Sequence, residues 1–157
     1  MDYIKFSCEI KSCSIEELDK EDQALHKAAL ESCEKAYAPY SKFYVGAAVR
    51  MNNGETIVAN NQENMAYPSG MCAERIAVFQ AKSAYPKSAI DTICITAKND
   101  TEEPITSCGS CRQVMLEYEK IQTGPIKIIM VQSTGKTWIS ESVNNLLPFG
   151  FDLPKQE

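Results

Sequence analysis

Three cysteines in two short motifs carry the chemistry that this sequence indicates most clearly. Cys72 is followed two residues later by Glu74, and Cys108 and Cys111 form a C-x-x-C motif further along the chain. Structural zinc sites usually take four protein ligands, whereas catalytic sites take three and leave the fourth position for water. Three thiols beside one carboxylate therefore predict one catalytic Zn²⁺ per chain, held by the three cysteines, in a hydrolase.

Glu74 and two arginines complete the predicted centre. Glu74 is the residue that we expect to take a proton from the attacking water and deliver it to the substrate. One Zn²⁺ with three thiolates has a net negative charge, which weakens the acidity that the metal confers on water. Arg75 and Arg112 each directly follow a motif segment, so they could donate hydrogen bonds to the thiolate sulfurs. Solvated surface charge is the alternative for both arginines.

The remaining cysteines and the one histidine have simpler interpretations. Free cysteine is among the most buried residue types, so we expect packing roles for Cys8, Cys13, Cys33 and Cys94. A closed structural zinc site with Cys94 as fourth ligand is an alternative, but it leaves Glu74 without a role. His26 lies on a predicted helix away from both motifs, so a histidine-dependent triad is not expected.

Composition is that of an ordinary globular protein. The chain has 157 residues, 44% of them hydrophobic and 24% charged, which fits one domain over residues 1–157 with an extension of unknown role at 1–13. The net charge of −5 and the lack of a basic run argue against a nucleic-acid partner. No signal peptide or membrane span is predicted. Seven cysteines, some of which must stay free to bind metal, favour the cytoplasm.

The elements that must position these residues alternate between strand and helix. Apolar and β-branched runs predict five strands, at 45–51, 56–59, 90–97, 126–131 and 137–140. A further short strand is predicted over 3–10. Strands that alternate with helices favour helices packed against a sheet.

Both cysteine motifs stand where predicted helices begin. Ser14 and Glu17 have capping-box spacing before a first helix that ends near Tyr37. The next two helices, over 72–84 and 108–121, start at the cysteine motifs, and a final helical turn precedes Leu146. Free backbone N–H groups and the positive end of the helix dipole stabilise thiolates. Metal and substrate are therefore predicted to lie where two helix N-termini converge.

These residues resemble the cytidine deaminase family, in particular its small members with three cysteines on zinc that act on free nucleosides. Zinc deaminases include a variant in which three cysteines bind the zinc and the glutamate is not a ligand. The likeness extends from about residue 38 to residue 151. Its blocks are A-P-Y-S-K-F at 38–43 with V-G-A-A at 45–48, N-Q-E-N at 61–64 with Tyr67, C-A-E-R at 72–75, C-G-S-C-R-Q-V at 108–114, and L-L-P at 146–148 with Phe151.

The resemblance implies a fold, an assembly and a reaction. The fold is a three-layer α/β/α sandwich around a mixed five-stranded sheet, usually assembled as a homotetramer. The reaction is hydrolytic deamination of cytidine or deoxycytidine to the uridine product in pyrimidine salvage. The implied substrate contacts are Asn61 and Glu63 on the ribose hydroxyls, Phe43 against the pyrimidine, the Ala73 backbone on the base, Tyr67 in the second block, and Phe151 in a neighbouring subunit's pocket.

Some alternatives stay open at this point. Ser107 occupies a position where the family commonly has proline, so the pocket could accept a different base. The alternatives are a modified or antibiotic cytosine nucleoside or a nucleotide as substrate, and a non-catalytic zinc-stabilised interaction module. Glu63 argues against a phosphate on the ribose 3′ oxygen, because two negative charges would meet at short range. Phe149 could serve in place of Phe151.

Overall fold

A mixed sheet of six strands organises residues 1–152, the part of the chain that the computed structural model describes. The strands are β1 (Lys11–Ser14), β2 (Val45–Met51), β3 (Thr56–Asn60), β4 (Ile90–Ala97), β5 (Lys127–Val131) and β6 (Lys136–Ser140). Their order is β1-β6-β5-β4-β2-β3. The β4–β5 pair is parallel and the other neighbouring pairs are antiparallel. The predicted α/β class with a mixed sheet is confirmed, with six strands in place of five. Residues 153–157 of the predicted domain lie outside the described residues.

The additional strand comes from the N-terminal segment, but not from the predicted place. The strand predicted over 3–10 is wrong, because these residues form no regular structure. Instead β1 pairs with β6, with Lys11 opposite Ile139 and Ser14 opposite Lys136. β1 ends at Ser14, because Ser14 is also the N-cap of the 3₁₀ turn that follows.

Four helices flank the sheet within the described residues: α1 (Lys20–Ser32), α2 (Ala73–Ala84), α3 (Gly109–Ile121) and α4 (Val143–Leu146). The predicted capping box is present, but it caps only a 3₁₀ turn over Ile15–Glu17. The extended backbone of Leu18 ends that turn, and α1 starts after Asp19, whose side chain accepts a hydrogen bond from the Asp22 N–H at 2.8 Å. The helices predicted at the two cysteine motifs are confirmed.

The helices lie on two faces of the sheet, as a three-layer sandwich requires. On the α1 face, α1 packs against β2, β3 and β4, over a core formed by Leu18, Leu25, Ala29, Ala48, Cys94, Ile129 and Val131. On the α2/α3 face, the larger core includes Ala77, Val78, Ile93, Met115, Ile128 and Met130. Successive strand residues serve opposite faces because side chains alternate across a sheet.

A glycine in β2 lets α1 lie close to the sheet. A Cβ atom at Gly46 would stand 1.9 Å from the Ala29 carbonyl oxygen and 2.5 Å from the Ser32 hydroxyl. Any larger residue would push α1 away from the sheet. No helix of the described residues has the length and apolar character needed to cross a bilayer.

Candidate active site

The two cysteine motifs meet where α2 and α3 begin. Cys72 and Cys108 are the N-cap residues of α2 and α3, with extended backbones, and Cys111 lies in the first turn of α3. The first N–H groups of a helix have no partner within it, and the helix dipole is positive at this end. Both helices therefore direct partial positive charge at the thiol cluster, as the sequence predicted.

The sulfur positions match those expected around one zinc ion. The Sγ atoms of Cys72 and Cys108 are 3.9 Å apart, and those of Cys108 and Cys111 are 3.5 Å apart. All three lie within 4.8 Å of one another. Tetrahedral zinc with Zn–S bonds of about 2.3 Å places its sulfurs about 3.8 Å apart. Three sulfurs at these separations could serve as three ligands of one tetrahedral zinc ion, with the fourth position left for another ligand.

The charge state of the cluster also suits a metal. Hydrogen bonding with the Cys111 thiol lowers the pKa of Cys72 to about 6, and the positive charge of Arg75 acts in the same direction. The same hydrogen bond raises the pKa of Cys111, and burial adds to this effect. A negative charge shared by neighbouring thiols attracts a cation, since metals bind the thiolate form.

Two buried arginine atoms, one near the start of α2 and one near the start of α3, lack a hydrogen-bond acceptor. The Nε atoms of Arg75 and Arg112 are buried, and neither has a hydrogen-bond partner among the described residues. The Arg112 Nη1 atom donates to the Leu146 carbonyl at 2.9 Å. Burying an unpaired donor is costly, and thiolates are the acceptors that a loaded metal site would offer. The residues present therefore fit a zinc ion with three cysteine ligands.

A cavity of about 470 Å³ opens beside the cluster. Glu74 in the first turn of α2 is only 4% exposed and lines this cavity, next to the fully buried Ala73. The cavity also brings together the predicted Phe43, Asn61, Glu63, Cys72 and Cys108. Sequence reasoning missed the other lining residues, which are Ser41, Val45, Ile95, Ile105 and Thr106. Thr106 and Ile105 could have been expected, because they directly precede the second cysteine motif.

The two predicted sugar-binding side chains also organise the backbone of the cavity wall. Asn61 donates from Nδ2 to the Phe43 carbonyl at 2.9 Å, and its Oδ1 accepts from the Val45 N–H at 2.8 Å. Glu63 Oε2 accepts from the backbone N–H groups of Tyr40 at 2.9 Å and Ser41 at 3.3 Å. Hydrogen bonding with Ser41 lowers the pKa of Glu63, so this side chain is a carboxylate at neutral pH.

Two predicted substrate contacts lie outside the cavity of this single chain. Tyr67 is 75% exposed, and its ring meets that of Tyr40 edge-on at 6.0 Å between centroids. It borders a second cavity that shares Ser41 and Glu63 with the first. Phe151 is 68% exposed. Neither ring touches the cysteine cluster within one chain.

The backbone at Phe151 is nevertheless held firmly. Gln113 accepts from the Phe151 N–H at 2.9 Å and donates to its carbonyl at 3.0 Å. Gly150 is pressed against Leu116, since a Cβ atom there would lie 2.2 Å from the Leu116 Cδ2 atom. Phe149 adopts a left-handed φ of 56° and its ring stands 6.3 Å from that of Phe6. Gln113 belongs to the C-G-S-C-R-Q-V block at 108–114, but its bonds to Phe151 appear only when the C-terminal segment lies along α3.

The other cysteines separate into buried and exposed groups. Cys33 and Cys94 are buried on the α1 face as expected, and burial raises both pKa values. Cys94 thus lies across the sheet from the cluster, which excludes it as a fourth ligand. The predicted packing of Cys8 is wrong, because it is exposed in the irregular N-terminal segment, and Cys13 is half-buried.

Two further sequence predictions concern His26, which lies far from the site, and Ser107, which lies next to the second cysteine motif. His26 lies on α1, on the opposite side of the sheet from the cavity. Ser107, which replaces the proline common in the family, is 4% exposed and its hydroxyl has no partner among the described residues. It does not cap α3, because Cys108 occupies that position without a side-chain cap.

Comparisons with known proteins agree with this geometry. The chain is 45% identical over 130 residues to the cytidine deaminase of Halalkalibacterium halodurans, which covers 82% of this chain and 92% of the relative. It is 35% identical over 121 residues to a probable cytidine deaminase of Dictyostelium discoideum, with 77% of each chain covered. The crystal structure of cytidine deaminase from Burkholderia pseudomallei superposes with a TM-score of 0.74 at 38% identity, covering 82% of this chain and 98% of that one.

The matched region includes the site itself. Residues 19–126 match the family described as the cytidine and deoxycytidylate deaminase zinc-binding region. This range contains Cys72, Glu74, Cys108 and Cys111, together with the Phe43 loop. The chain therefore belongs to the cytidine and deoxycytidylate deaminase family.

Proposed function

We propose that the protein is a zinc-dependent hydrolase that deaminates cytidine and deoxycytidine to uridine and deoxyuridine in pyrimidine salvage. The observation that carries this function is the buried Glu74, which lines a cavity directly beside a three-cysteine cluster with one free corner. Relatives named cytidine deaminase, 45% and 35% identical, support the substrate.

The cysteines hold the metal and Glu74 moves the protons. Cys72, Cys108 and Cys111 bind one Zn²⁺, which when bound makes water acidic enough to act as a nucleophile at neutral pH. Glu74 accepts the proton that the attacking water loses and gives it to N3 of the cytosine ring as the water oxygen adds to C4. The proton of the new C4 hydroxyl then passes through Glu74 to the amine, the C4–N bond breaks, and ammonia leaves while C4 becomes a carbonyl. One carboxylate can serve both steps because a group that has accepted a proton can donate it again.

The cavity wall orients the nucleoside. Phe43 packs against the pyrimidine ring, and the free N–H of Ala73 at the start of α2 contacts the base. Asn61 and Glu63 bind the ribose hydroxyls, and the carboxylate form of Glu63 accepts hydrogen bonds from them while repelling a phosphate. Binding energy from the sugar, remote from C4, helps to reach the transition state. Free cytosine is therefore a poor substrate.

The arginines and the chain ends complete the proposal. Arg75 and Arg112 donate from their buried Nε atoms to the thiolates and offset their charge. The protein is a homotetramer in which Phe151 reaches a neighbouring subunit's pocket, and Tyr67 contacts the substrate. This assembly is supported by the exposed ring of Phe151, whose backbone is bonded by Gln113. Cysteines that are all free of disulfides within the described residues support a cytoplasmic location.

A substrate panel tests this function. Zinc-loaded protein is incubated with cytidine, deoxycytidine, cytosine, cytidine 3′-phosphate and modified cytosine nucleosides, and the loss of cytosine absorbance is followed. We expect efficient turnover of the first two and little of cytosine or the 3′-phosphate. Turnover of only a modified nucleoside or only a nucleotide would show that this compound, and not cytidine, is the substrate. No turnover of any compound would favour a non-catalytic zinc module.

A further inference from the structure

The loop that carries Phe43 has an unfavourable backbone that needs support. Lys42, directly before Phe43, has a φ of 57°, which places a side chain other than glycine in the left-handed region. Such a conformation persists only where surrounding contacts hold it. Phe43 lines the cavity and is half-buried, so the path of this loop decides where its ring stands.

A side-chain amide from the end of β4 supplies that support. Asn99 donates from Nδ2 to the Lys42 carbonyl at 2.9 Å, and its Oδ1 accepts from the Tyr44 N–H at 2.8 Å. The two bonds bracket Phe43 on either side along the chain. Asn99 itself is half-buried and does not line the cavity.

Asn99 works together with a second amide on the cavity side. Asn61 bonds the Phe43 carbonyl and the Val45 N–H. The two amides thus bond four consecutive backbone positions between residues 42 and 45. The Phe43 side chain has only two rotatable bonds of its own, so the position of its ring follows largely from the main chain that these two amides hold.

We infer that Asn99 is a positioning residue for substrate binding, which sets the ring of Phe43 against the pyrimidine without touching the substrate. This inference rests on the proposed function, in which Phe43 is the platform for the base. Glu74 and the cysteines stand on α2 and α3, which Asn99 does not contact through any hydrogen bond within the described residues. Loss of Asn99 should therefore weaken nucleoside binding and leave the metal and the proton transfers in place.

The test compares two amides that each accept from a backbone N–H and donate to a backbone carbonyl, of which Asn145 donates in addition to the Ser140 hydroxyl at 2.8 Å. Asn145 accepts from the Glu9 N–H at 3.0 Å and donates to the Glu9 carbonyl at 2.8 Å, on the N-terminal segment. Asn99→Ala is expected to raise KM for cytidine about tenfold and to change kcat less than about twofold. A contact that stabilises substrate and transition state equally affects KM and leaves kcat unchanged. Asn145→Ala, the matched control, should leave KM unchanged although it loses the same kind of interaction. Zinc content should equal that of the unmutated protein in both.

A double-mutant cycle with Phe43→Ala separates positioning from general destabilisation. If Asn99 acts through Phe43, Asn99→Ala adds no further increase in KM once Phe43 is replaced. Asn99→Asp, which keeps one acceptor and loses the donor to Lys42, provides a second variant should the alanine variant fold poorly, and KM should rise there as well. Unchanged KM in both Asn99 variants, or fully additive effects, would overturn the inference. If Phe43→Ala alone leaves KM unchanged, the assignment of Phe43 fails instead.

Discussion

The two faces of the sheet bury the same residue type for opposite purposes. On the α1 face, Cys33 and Cys94 are enclosed, and burial raises their pKa values. On the α2/α3 face, hydrogen bonding with Cys111 lowers the pKa of Cys72 to about 6. Cys111 of the cluster is as fully buried as Cys33 and Cys94, whereas Cys72 is half-buried and Cys108 is exposed, so burial alone does not decide the role of a thiol. The role of a thiol is decided by whether it lies at a helix N-terminus and beside hydrogen-bond donors.

The two faces also differ in whether their buried charged side chains have hydrogen-bond partners. On the α1 face, Asp22 is 3% exposed and bonds Arg50 Nη1 at 3.0 Å and Lys127 Nζ at 2.6 Å. On the α2/α3 face, the Nε atoms of Arg75 and Arg112 are buried without an acceptor in the described residues. Most buried polar groups in proteins are paired, so unpaired ones call for an explanation. The buried charge of the α1 face is thus paired within the fold, while the α2/α3 face holds two buried arginine donors that no acceptor of the described residues satisfies.

Replacing one cysteine on each face by alanine should give the largest contrast in zinc content and turnover. Cys111→Ala is expected to lose zinc and all measurable turnover, because two remaining thiols hold the metal far less tightly. Cys94→Ala should keep one zinc per chain and wild-type kcat, with a free energy of unfolding lower by about 1 kcal/mol. Elemental analysis and chemical denaturation measure both effects. Full zinc retention in Cys111→Ala would contradict the ligand assignment.

The Asp22 network should affect stability and not catalysis. Asp22→Ala leaves Arg50 and Lys127 without their buried partner, so we expect a free energy of unfolding lower by about 3 kcal/mol. Turnover per folded molecule should stay unchanged. Glu21→Ala is the control, since Glu21 has an 82% exposed side chain and approaches Arg50 only to 3.9 Å. A drop in kcat with Asp22→Ala would remove the distinction between the faces.

Glu63 should control selectivity at the sugar. Glu63→Gln is expected to raise KM for cytidine about tenfold, because a hydrogen bond to a charged acceptor becomes a neutral one. The same change should relax rejection of cytidine 3′-phosphate. Because its pKa is lowered, Glu63 stays ionised as the pH falls from neutral, and the selectivity should be lost only in more acidic solution. Equal efficiency of the unmutated protein on cytidine and its 3′-phosphate would overturn this role.

Arg75 should have the smallest effect of the set. Arg75→Gln removes a positive charge that helps to lower the pKa of Cys72, and we expect kcat to fall about fivefold while zinc stays bound. Arg75→Lys keeps the charge and should recover part of the loss. An unchanged kcat in Arg75→Gln would identify an arginine with a purely structural role.

The cysteine centre could be predicted from sequence because its information is local. Cys72, Cys108 and Cys111 stand at helix starts that the apolar pattern also predicts, so motif and element agree. Glu74 follows from its spacing to Cys72. By contrast, Asn99 and Gln113 act on backbone atoms 55 and 38 residues away. Such pairings depend on how loops fold back, and no spacing in the sequence marks them.

The fold shows the same division between local and long-range information. The strands over 45–51 and 90–97 were predicted with their correct bounds, since apolar and β-branched residues dominate both segments. The N-terminal strand was misplaced because its residues are no more apolar than the segment before them. The position of β1 depends on pairing with the edge of β6 and on the Ser14 cap. These interactions compete with the local β-propensity of the sequence.

Glu74 provides the most direct test that the metal centre is catalytic. Glu74→Gln keeps the shape of the side chain but removes its ability to carry a proton. We predict that the zinc-loaded variant keeps one zinc per chain and an unchanged fold, while kcat for cytidine falls by a factor of about 10³ to 10⁴. Cytidine turnover at the wild-type rate with zinc fully bound would contradict the account.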